Sequence, residues 1–275
     1  MTKDKFPIHR AIAILIGILF VTTTFLHAQE RDSLVVKKTM KHVLNDSKSW
    51  VLSPIKWDKK DWLVFGGASV VTGALILWGD QKIYNFSNDH HTTFLNHLSP
   101  YIEPTGHAYL YTAIGGFFLH GIIAKNNYST ETSIIASESL ILASLLAHTV
   151  KGTGSRVRPN NYGTSNPHQW NGPFFKGNSF FSGHTTAAFS VCSVIAYRYR
   201  DTKWVPAVAY GMASLVGLQR IYNNKHWASD VFFGATVGTA TGLFLCKSWE
   251  KSPIRFYPSF SPEYSQVTLV LPISK

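Results

Sequence analysis

At 275 residues the chain is long enough to bury a core of its own, and we expect one large domain rather than two. Its net charge of +11 favours anionic partners: phosphorylated substrates, acidic lipid surfaces or nucleic acid. Nucleic acid is the least favoured of the three, because the basic residues are scattered and no known binding motif is present. With 14% aromatic and only 15% charged residues, the composition is typical of a membrane protein or a tightly packed helical protein.

The N-terminal stretch, residues 1–28, has the pattern of a secretory signal. A basic region precedes an apolar run over residues 11–26, and cleavage could follow Ala28. An uncleaved anchor helix is the alternative, because Leu26 stands where a small residue is usual. Residues 29–61 then form a polar, lysine-rich segment that leads to the first apolar segment of the main domain.

Six apolar segments follow and predict an all-α, six-helix core bundle over residues 62–247. Glycines at 234, 238 and 242 are spaced four apart in the last segment, a pattern that allows two helices to approach closely. Most segments have 15–18 residues, at or below the ~20 needed to cross a bilayer. The segments lie at about 62–79, 108–124, 133–150, 184–198, 204–219 and 228–246.

The C-terminal tail, residues 248–275, differs in composition from the apolar segments before it. It is rich in β-branched and aromatic residues and predicts two short extended runs around Ser261-Pro262-Glu263. The two cysteines, Cys192 and Cys246, lie in apolar segments and are expected to be buried free thiols, with an interhelical disulfide as the alternative.

Three stretches contain the candidate catalytic and anion-binding residues. The first, Lys151 to Arg158-Pro159, follows the third apolar segment. The second, Phe181-Ser182-Gly183-His184, opens the fourth segment, where backbone N–H groups at a helix start can bind an anion. The third runs from Arg220 through His226 to Asp230 and combines a planar cation with an imidazole and a carboxylate that can orient it.

In this order and spacing the three stretches resemble the signature of the type 2 phosphatidic acid phosphatase and vanadium haloperoxidase superfamily. Two positions depart from that signature: Phe181 stands where proline is usual, and Gln219 where serine is usual. The first change bears on how the loop enters the helix, while Ser182 and Gly183 keep the anion site. Gln219 can still donate a hydrogen bond.

The resemblance implies a metal-independent phosphatase without a cofactor, which hydrolyses a phosphate monoester or a diphosphate through a phosphohistidine. His226 would be the nucleophile, oriented by Asp230, and His184 the general acid and base. The remaining signature residues would hold the phosphate oxygens: Lys151, Arg158, Ser182, Gly183 and Arg220.

Two alternatives remain. The same residues could hold vanadate and give a haloperoxidase, or the chain could be an inactive helical envelope protein. The expected substrate is a lipid-linked phosphate, or else a small phosphate ester, met at the cell envelope outside the cytoplasm. Basic residues at the opposite end of the bundle favour a membrane protein with an outward-facing site. A cleaved signal followed by six full spans would invert that orientation, so an exported soluble form stays open.

The connection over residues 152–181 is predicted to be irregular because it is rich in Gly, Pro, Asn and Ser. Its aromatic side chains could line a pocket for an apolar tail or anchor the loop to the helices: Trp170, Phe174, Phe175, Phe180 and Phe181. The stretch 80–107 holds four histidines, but their spacing matches no recognised zinc motif, and no metal site is predicted.

Overall fold

A computed structural model describes residues 33–106, 108–160, 166–173, 177–251, 255–260 and 265–270. The chain divides into two compact units, residues 43–253 and a unit formed by residues 1–42 together with 254–275. The predicted signal or anchor over residues 1–28 lies outside the described residues, as do Phe174 and Phe175.

The described residues form nine α-helices, which confirms the predicted helical bundle. One π-helical turn, Leu75–Gly79, joins the second helix to the third, so that Lys59–Asp89 is continuous. Short 3-10 turns lie at Ser53–Lys56 and Glu103–Gly106. The helices are α1 (Ser33–Val51), α2 (Lys59–Ala74), α3 (Asp80–Asp89), α4 (Thr93–Ile102), α5 (Ala108–Ile123), α6 (Asn127–Gly154), α7 (Gly183–Arg198), α8 (Trp204–Tyr222) and α9 (Ala228–Lys251).

The C-terminal tail contains two strands, β1 (Arg255–Phe260) and β2 (Ser265–Val270), paired antiparallel with Arg255 opposite Val270. These strands correspond to the two extended runs predicted from the sequence. They belong to the smaller unit.

Helix α7 lies at the centre of the larger unit and packs against α6, α8 and α9. Its inward side chains are almost completely buried, among them Ala187, Val191 and Val194. Ser182 caps its start by accepting a hydrogen bond from the Thr185 N–H. Cys192 of this helix and Cys246 of α9 are both buried and free, as predicted.

The glycine stripe on α9 allows that helix to approach α7 closely. A Cβ placed on Gly242 would lie 2.6 Å from the carbonyl oxygen of Ser190, and one on Gly234 would lie 2.9 Å from that of Ser182. On Gly238 a Cβ would collide with the carbonyl oxygen of Thr186. The prediction of a close helix contact at this stripe is therefore confirmed.

Three helices are long and apolar enough to cross a membrane: Lys59–Asp89, Asn127–Gly154 and Ala228–Lys251. They are longer than the apolar segments in the sequence, because polar residues extend each helix at its ends. Large apolar side chains on α2 are exposed in the isolated chain, with Leu63 66% and Val70 72% accessible. Exposed apolar surface of this extent indicates association with a membrane.

Candidate active site

The three sequence motifs meet at one end of the bundle. Lys151 comes from the C-terminal end of α6, Ser182 from the N-terminal end of α7, and Asp230 from the first turn of α9. The Ser182 N–H donates to the carbonyl oxygen of Asp230 at 3.0 Å, which joins the second motif directly to the third. Lys151 Nζ lies 3.2 Å from the position that a Cβ on Gly183 would occupy, so the first motif contacts the second.

His226 and Asp230 form the predicted imidazole–carboxylate pair. The helix begins at Ala228 rather than at His226, yet Nδ1 of His226 still faces Oδ2 of Asp230 at 3.7 Å. This distance exceeds that of a hydrogen bond, and the buried Nδ1 has no hydrogen-bond partner among the described residues. Catalytic hydrogen bonds are often long before the substrate binds, so the separation is compatible with a pair that tightens in the complex.

The environment of His226 keeps its imidazole neutral. Burial lowers the pKa of His226 to about 4, and the nearby charges of Lys151 and Arg158 act in the same direction. The carboxylate of Asp230 acts in the opposite direction, but burial has the larger effect. A neutral imidazole has a free lone pair on one ring nitrogen and can act as a nucleophile near pH 7.

Asp230 is held in place by a buried arginine that the sequence analysis did not assign. Arg156 is completely inaccessible, and its Nη1 donates to Asp230 Oδ1 at 2.5 Å and to Ser229 Oγ at 2.7 Å. Its Nη2 donates to Asp80 Oδ2 at 2.7 Å, while Nε and Nη2 both donate to the carbonyl oxygen of Pro167. One guanidinium therefore binds two buried carboxylates and fixes the loop to the helices.

The second carboxylate in this network, Asp80, also fixes the start of α9. Its Oδ1 accepts from the Ser229 N–H at 2.8 Å, and its Oδ2 accepts from the Ser229 hydroxyl at 2.6 Å. On Asp230, Oδ2 accepts from the Ser179 hydroxyl at 2.5 Å and from the Trp227 N–H at 2.9 Å. The Asp230 carboxylate is thus fixed by donors on three sides, and its orientation towards His226 is set before any substrate binds.

Arg158 and Arg220 are the two guanidinium groups that the sequence motifs assign to phosphate binding. Burial lowers the pKa of Arg158 from its usual value, and the charge of Arg220 contributes further, which places the two cations close together. The buried Nε of Arg158 has no hydrogen-bond partner among the described residues. Two neighbouring cations with an unsatisfied donor are what an anion-binding site requires.

Gln219, at the position where serine is usual, positions Arg220. Its side-chain oxygen accepts from Arg220 Nε at 2.6 Å, and its side-chain nitrogen donates to Ser99 Oγ at 3.1 Å. The predicted donation by Gln219 is therefore observed, together with an acceptor role that was not predicted. Nη2 of Arg220 also forms an ion pair with Glu103 Oε1 at 3.2 Å.

His184 is half-buried at the start of α7, directly against the 3-10 turn that precedes α5. A Cβ on Gly106 would lie 2.6 Å from its Cδ2 atom, so a larger residue at that position would displace the His184 side chain. Ser182 is fully buried, and its Oγ accepts from the hydroxyl of Thr185 at 2.9 Å. Its side chain therefore stabilises the helix start that carries His184.

The described aromatic residues of the connecting loop anchor it, which was one of the two interpretations offered by the sequence. Trp170 stacks over Arg156 with 5.3 Å from the guanidinium carbon to the ring centroid, and it contacts Phe180. Phe180 and Phe181 both pack on Phe233 of α9. Within the described residues, no group of three or more His, Cys, Asp or Glu side chains could hold a metal ion.

Sequence reasoning missed Asp80, Arg156, Ser179 and Glu103. Asp80 carried one usable signal: it directly follows an apolar segment, and a carboxylate there needs a partner if it is buried. Arg156 lies inside the first motif, but the sequence contains no indication that it turns away from the phosphate position towards Asp230. Ser179 lies in the connection that was predicted to be irregular, and Glu103 lies in a stretch for which no structure was predicted.

Residues 132–253, which include all three motifs, match the model of the PAP2 superfamily. This match confirms the resemblance inferred from the motifs.

Individual relatives have more specific names. Over 66 residues the chain is 44% identical to the lipid A 1-phosphatase of Porphyromonas gingivalis, covering 24% of this chain and 15% of that protein. Over 90 residues it is 32% identical to the bacitracin transport permease protein BcrC of Bacillus licheniformis, covering 33% of this chain and 42% of that protein. The matched segments therefore span less than half of either relative.

Two crystal structures are similar to this chain. One is LpxE of Aquifex aeolicus, with 21% identity and a TM-score of 0.48, covering 61% of this chain and 94% of that one. The other is a transmembrane PAP2 type phosphatidylglycerolphosphate phosphatase of Bacillus subtilis. It has 19% identity and a TM-score of 0.49, and the match covers 68% of this chain and 94% of that one.

Proposed function

We propose that this protein is a PAP2-type phosphatase that removes phosphate from a lipid-linked monoester or diphosphate through a phosphohistidine on His226. The observation that carries the proposal is the convergence at one end of the bundle. Lys151 and Arg158 lie close enough to the neutral imidazole of His226 to lower its pKa, and Arg220 acts in the same way on Arg158. The carboxylate of Asp230 faces the other side of this histidine at Nδ1. Such a site can bind a phosphate dianion and attack its phosphorus atom.

In the first step Nε2 of His226 attacks phosphorus in line with the bond to the leaving oxygen. A nitrogen–phosphorus bond forms, the phosphorus–oxygen bond breaks, and His184 gives its proton to the leaving oxygen. The imidazole becomes positively charged, and Asp230 stabilises it through Nδ1 as the 3.7 Å separation between Nδ1 and Oδ2 shortens in the complex. Lys151, Arg158 and Arg220 stabilise the charge on the non-bridging oxygens.

In the second step water attacks the phosphohistidine. His184, now neutral, takes the proton from the water, a phosphorus–oxygen bond forms, and the nitrogen–phosphorus bond breaks. Inorganic phosphate leaves, and both histidines return to their starting states. Because the three cationic side chains supply the positive charge, we propose that no metal ion or other cofactor takes part.

A lipid-linked substrate fits the surroundings of the site. The helices that deliver Lys151 and Asp230 are both long and apolar enough to cross a membrane, so the site lies at a membrane surface if they do. One relative is named for a phosphatase that acts on lipid A at its 1-phosphate. We therefore rank a lipid A-type phosphate first, with isoprenoid diphosphates and phosphatidate as further candidates.

We further propose that the site faces away from the cytoplasm. The opposite end of the bundle carries basic residues at the start of α2, before α8 and at the end of α9, and such residues favour the cytoplasmic side. A reporter that is active only outside the cytoplasm should work when fused after residue 170 and fail when fused after residue 201. Activity at both positions, with release of the protein from membranes by carbonate, would favour the exported soluble form.

Phosphate release from purified protein tests the function itself. The panel should contain the lipid phosphates above and a nitrophenyl phosphate, measured with and without excess chelator. His226→Ala should abolish release, whereas His148→Ala should not, because His148 is exposed on α6 and bonded to a carbonyl of its own helix. Loss of activity with chelator and its recovery with magnesium or zinc would contradict the metal-free mechanism.

A further inference from the structure

A half-exposed carboxylate lies at the solvent-facing rim of the candidate active site. Glu103 begins the 3-10 turn Glu103–Gly106, and its Oε1 lies 3.2 Å from Nη2 of Arg220. The side chain of Glu103 is 50% exposed, whereas that of Arg220 is 4% exposed. A carboxylate beside a cation that is assigned to phosphate binding lowers the positive charge available to an anionic substrate. Its effect on the reaction therefore depends on where the substrate carries its charge.

Contacts with α8 fix the turn that carries Glu103. Ser99, one helical turn before Glu103 on α4, donates from its hydroxyl to Asn223 Oδ1 at 2.9 Å. The same hydroxyl oxygen accepts from Gln219 Nε2 at 3.1 Å. Gln219 and Asn223 lie on either side of Arg220 in the chain, so the turn and the guanidinium are held together. The ion pair between Glu103 and Arg220 is thus a fixed part of the site.

The same turn borders His184, the proposed general acid. A Cβ on Gly106 would lie 2.6 Å from Cδ2 of His184. Residues three apart in a 3-10 helix lie on the same face, and Glu103 precedes Gly106 by three residues. At a rise of about 2 Å per residue, the two positions are about 6 Å apart along the axis. The face of the turn that carries Glu103 is therefore the face that contacts His184.

A large leaving group has room on this side of the site only. His226 is 2% exposed and Asp230 is completely inaccessible, so no lipid can lie behind the nucleophile. In-line attack by His226 places the leaving oxygen on the opposite side of phosphorus, where His184 is assigned to protonate it. The leaving group then extends towards solvent past the half-exposed carboxylate of Glu103.

The positive charge of the site is unevenly distributed. Among the described residues, Arg220 is the one of the three assigned cations that pairs with a carboxylate. The charges of Lys151 and Arg158 act on the buried His226. The inner part of the site therefore keeps its positive charge for the phosphate that is attacked, while the charge of the guanidinium at the rim is balanced. A diphosphate would place its second anionic phosphate at that rim, beside Glu103.

We propose that Glu103 is a specificity-determining residue that favours phosphate monoesters over diphosphates. The inference rests on the proposed function and narrows its substrate class. When His226 attacks a monoester, the phosphorus–oxygen bond breaks and a proton from His184 makes the leaving group a neutral alcohol. When it attacks the terminal phosphorus of a diphosphate, the same kind of bond breaks, but the leaving group is an alkyl phosphate anion. The carboxylate of Glu103 repels that anion as it forms.

Two substrates with the same alkyl chain, decyl phosphate and decyl diphosphate, test this selectivity through the initial release of the first phosphate. Glu103→Gln keeps the size of the side chain and removes its charge. It should raise the diphosphate-to-monoester ratio of kcat/KM by at least about tenfold, the order expected for two like charges a few ångströms apart near a protein surface. The control is Glu250→Gln, which removes another half-exposed carboxylate that pairs with an arginine, near the end of α9. This control should leave the ratio unchanged.

Salt dependence in the wild-type protein is a second measurement that needs no substitution. Raising the ionic strength from about 0.01 M to about 1 M shortens the Debye length from about 30 Å to about 3 Å. Because Glu103 is half exposed, its repulsion of the leaving anion is screened. The diphosphate-to-monoester ratio should therefore increase with salt in the wild type. In Glu103→Gln it should stay level or fall, because only the attraction to the cations remains to be screened.

The outcomes separate the two claims. Absence of phosphate release from both substrates in the wild type would overturn the proposed function and the inference with it. Release with an unchanged ratio in Glu103→Gln, whether or not both rates fall, would overturn the inference alone, because Glu103 would then only position Arg220. If the variant does not fold, the wild-type ratio decides: an increase with salt supports the inference, and a level or falling ratio overturns it.

Discussion

Arg156 should be the residue whose conservative replacement has the largest effect on the site without touching the substrate. In Arg156→Lys the charge remains, but a single ammonium cannot reach Asp80, Asp230 and the carbonyl of Pro167 at once. All of these are bonded by the guanidinium within 2.5–3.1 Å. One carboxylate with a fully buried side chain is then left without its cation. Breaking a buried pair in this way costs about 3–5 kcal/mol.

This cost can be measured as a change in melting temperature. At about 2–4 °C per kcal/mol for a domain of this size, Arg156→Lys should lower Tm by about 6–20 °C. The eight tryptophans allow the transition to be followed by fluorescence in detergent. The value of kcat should also fall by more than tenfold. The upper limit is about 10⁴-fold, which is the loss in kcat when the orienting carboxylate of a Ser-His-Asp triad is replaced. KM should change much less, because the phosphate contacts remain.

The matched control is Arg200→Lys. Arg200 pairs with Glu250 at 3.4 Å on the surface, where both side chains are about half exposed, and such pairs contribute at most about 1 kcal/mol. Its Tm should shift by less than about 4 °C. The reasoning fails if Arg156→Lys behaves like Arg200→Lys in both Tm and kcat, since Asp230 would then not depend on the buried network.

Three further predictions concern the histidines and the helix contact. Because burial lowers the pKa of His226 to about 4, the acidic limb of kcat/KM should lie near pH 4, after correction for substrate ionisation. The lowered pKa of His226 also contributes to the stability of the fold above pH 6.5, and this contribution should be lost as the pH falls from 6.5 through 4. An acidic limb of kcat/KM at pH 6.5 would contradict the assignment of His226 as the nucleophile. His184→Ala should lose about 10²–10⁴-fold more activity on an alkyl phosphate than on a nitrophenyl phosphate, and equal losses would remove the general acid. Gly238→Ala should destabilise the protein by about 1–3 kcal/mol, because its Cβ meets the Thr186 carbonyl, while Gly115→Ala, with open space around it, should not.

The sequence predicted the bundle, and it indicated that the candidate site residues lie near helix ends, because both signals are local. Each apolar segment coincides, to within one residue, with part or all of one continuous helical stretch. Lys151, His184 and Arg220 each lie within the last or first turn of a helix. The glycines of α9 could be interpreted because a four-residue spacing has one geometric meaning in a helix.

The buried network could not be predicted because it depends on contacts between distant parts of the chain. Asp80 bonds to Ser229 across 149 positions, and Arg156 bonds to Asp230 across 74. The signature assigns Arg158 to the phosphate, but it does not indicate that Arg156, two residues earlier, binds buried carboxylates. Apart from the position of Asp80 after an apolar segment, the stretch 80–107 gave only its histidines as a signal, yet its helices and turn deliver Asp80 and Glu103 to the site.

Trapping the covalent intermediate tests the central claim most directly. The protein should be mixed briefly with a ³²P-labelled phosphate ester, quenched in alkali, and digested for peptide analysis. We expect label that is stable in alkali and labile in acid, on the peptide that contains His226, and its complete absence in His226→Ala. Label on any other residue, or phosphate release by His226→Ala at the wild-type rate, would contradict the account.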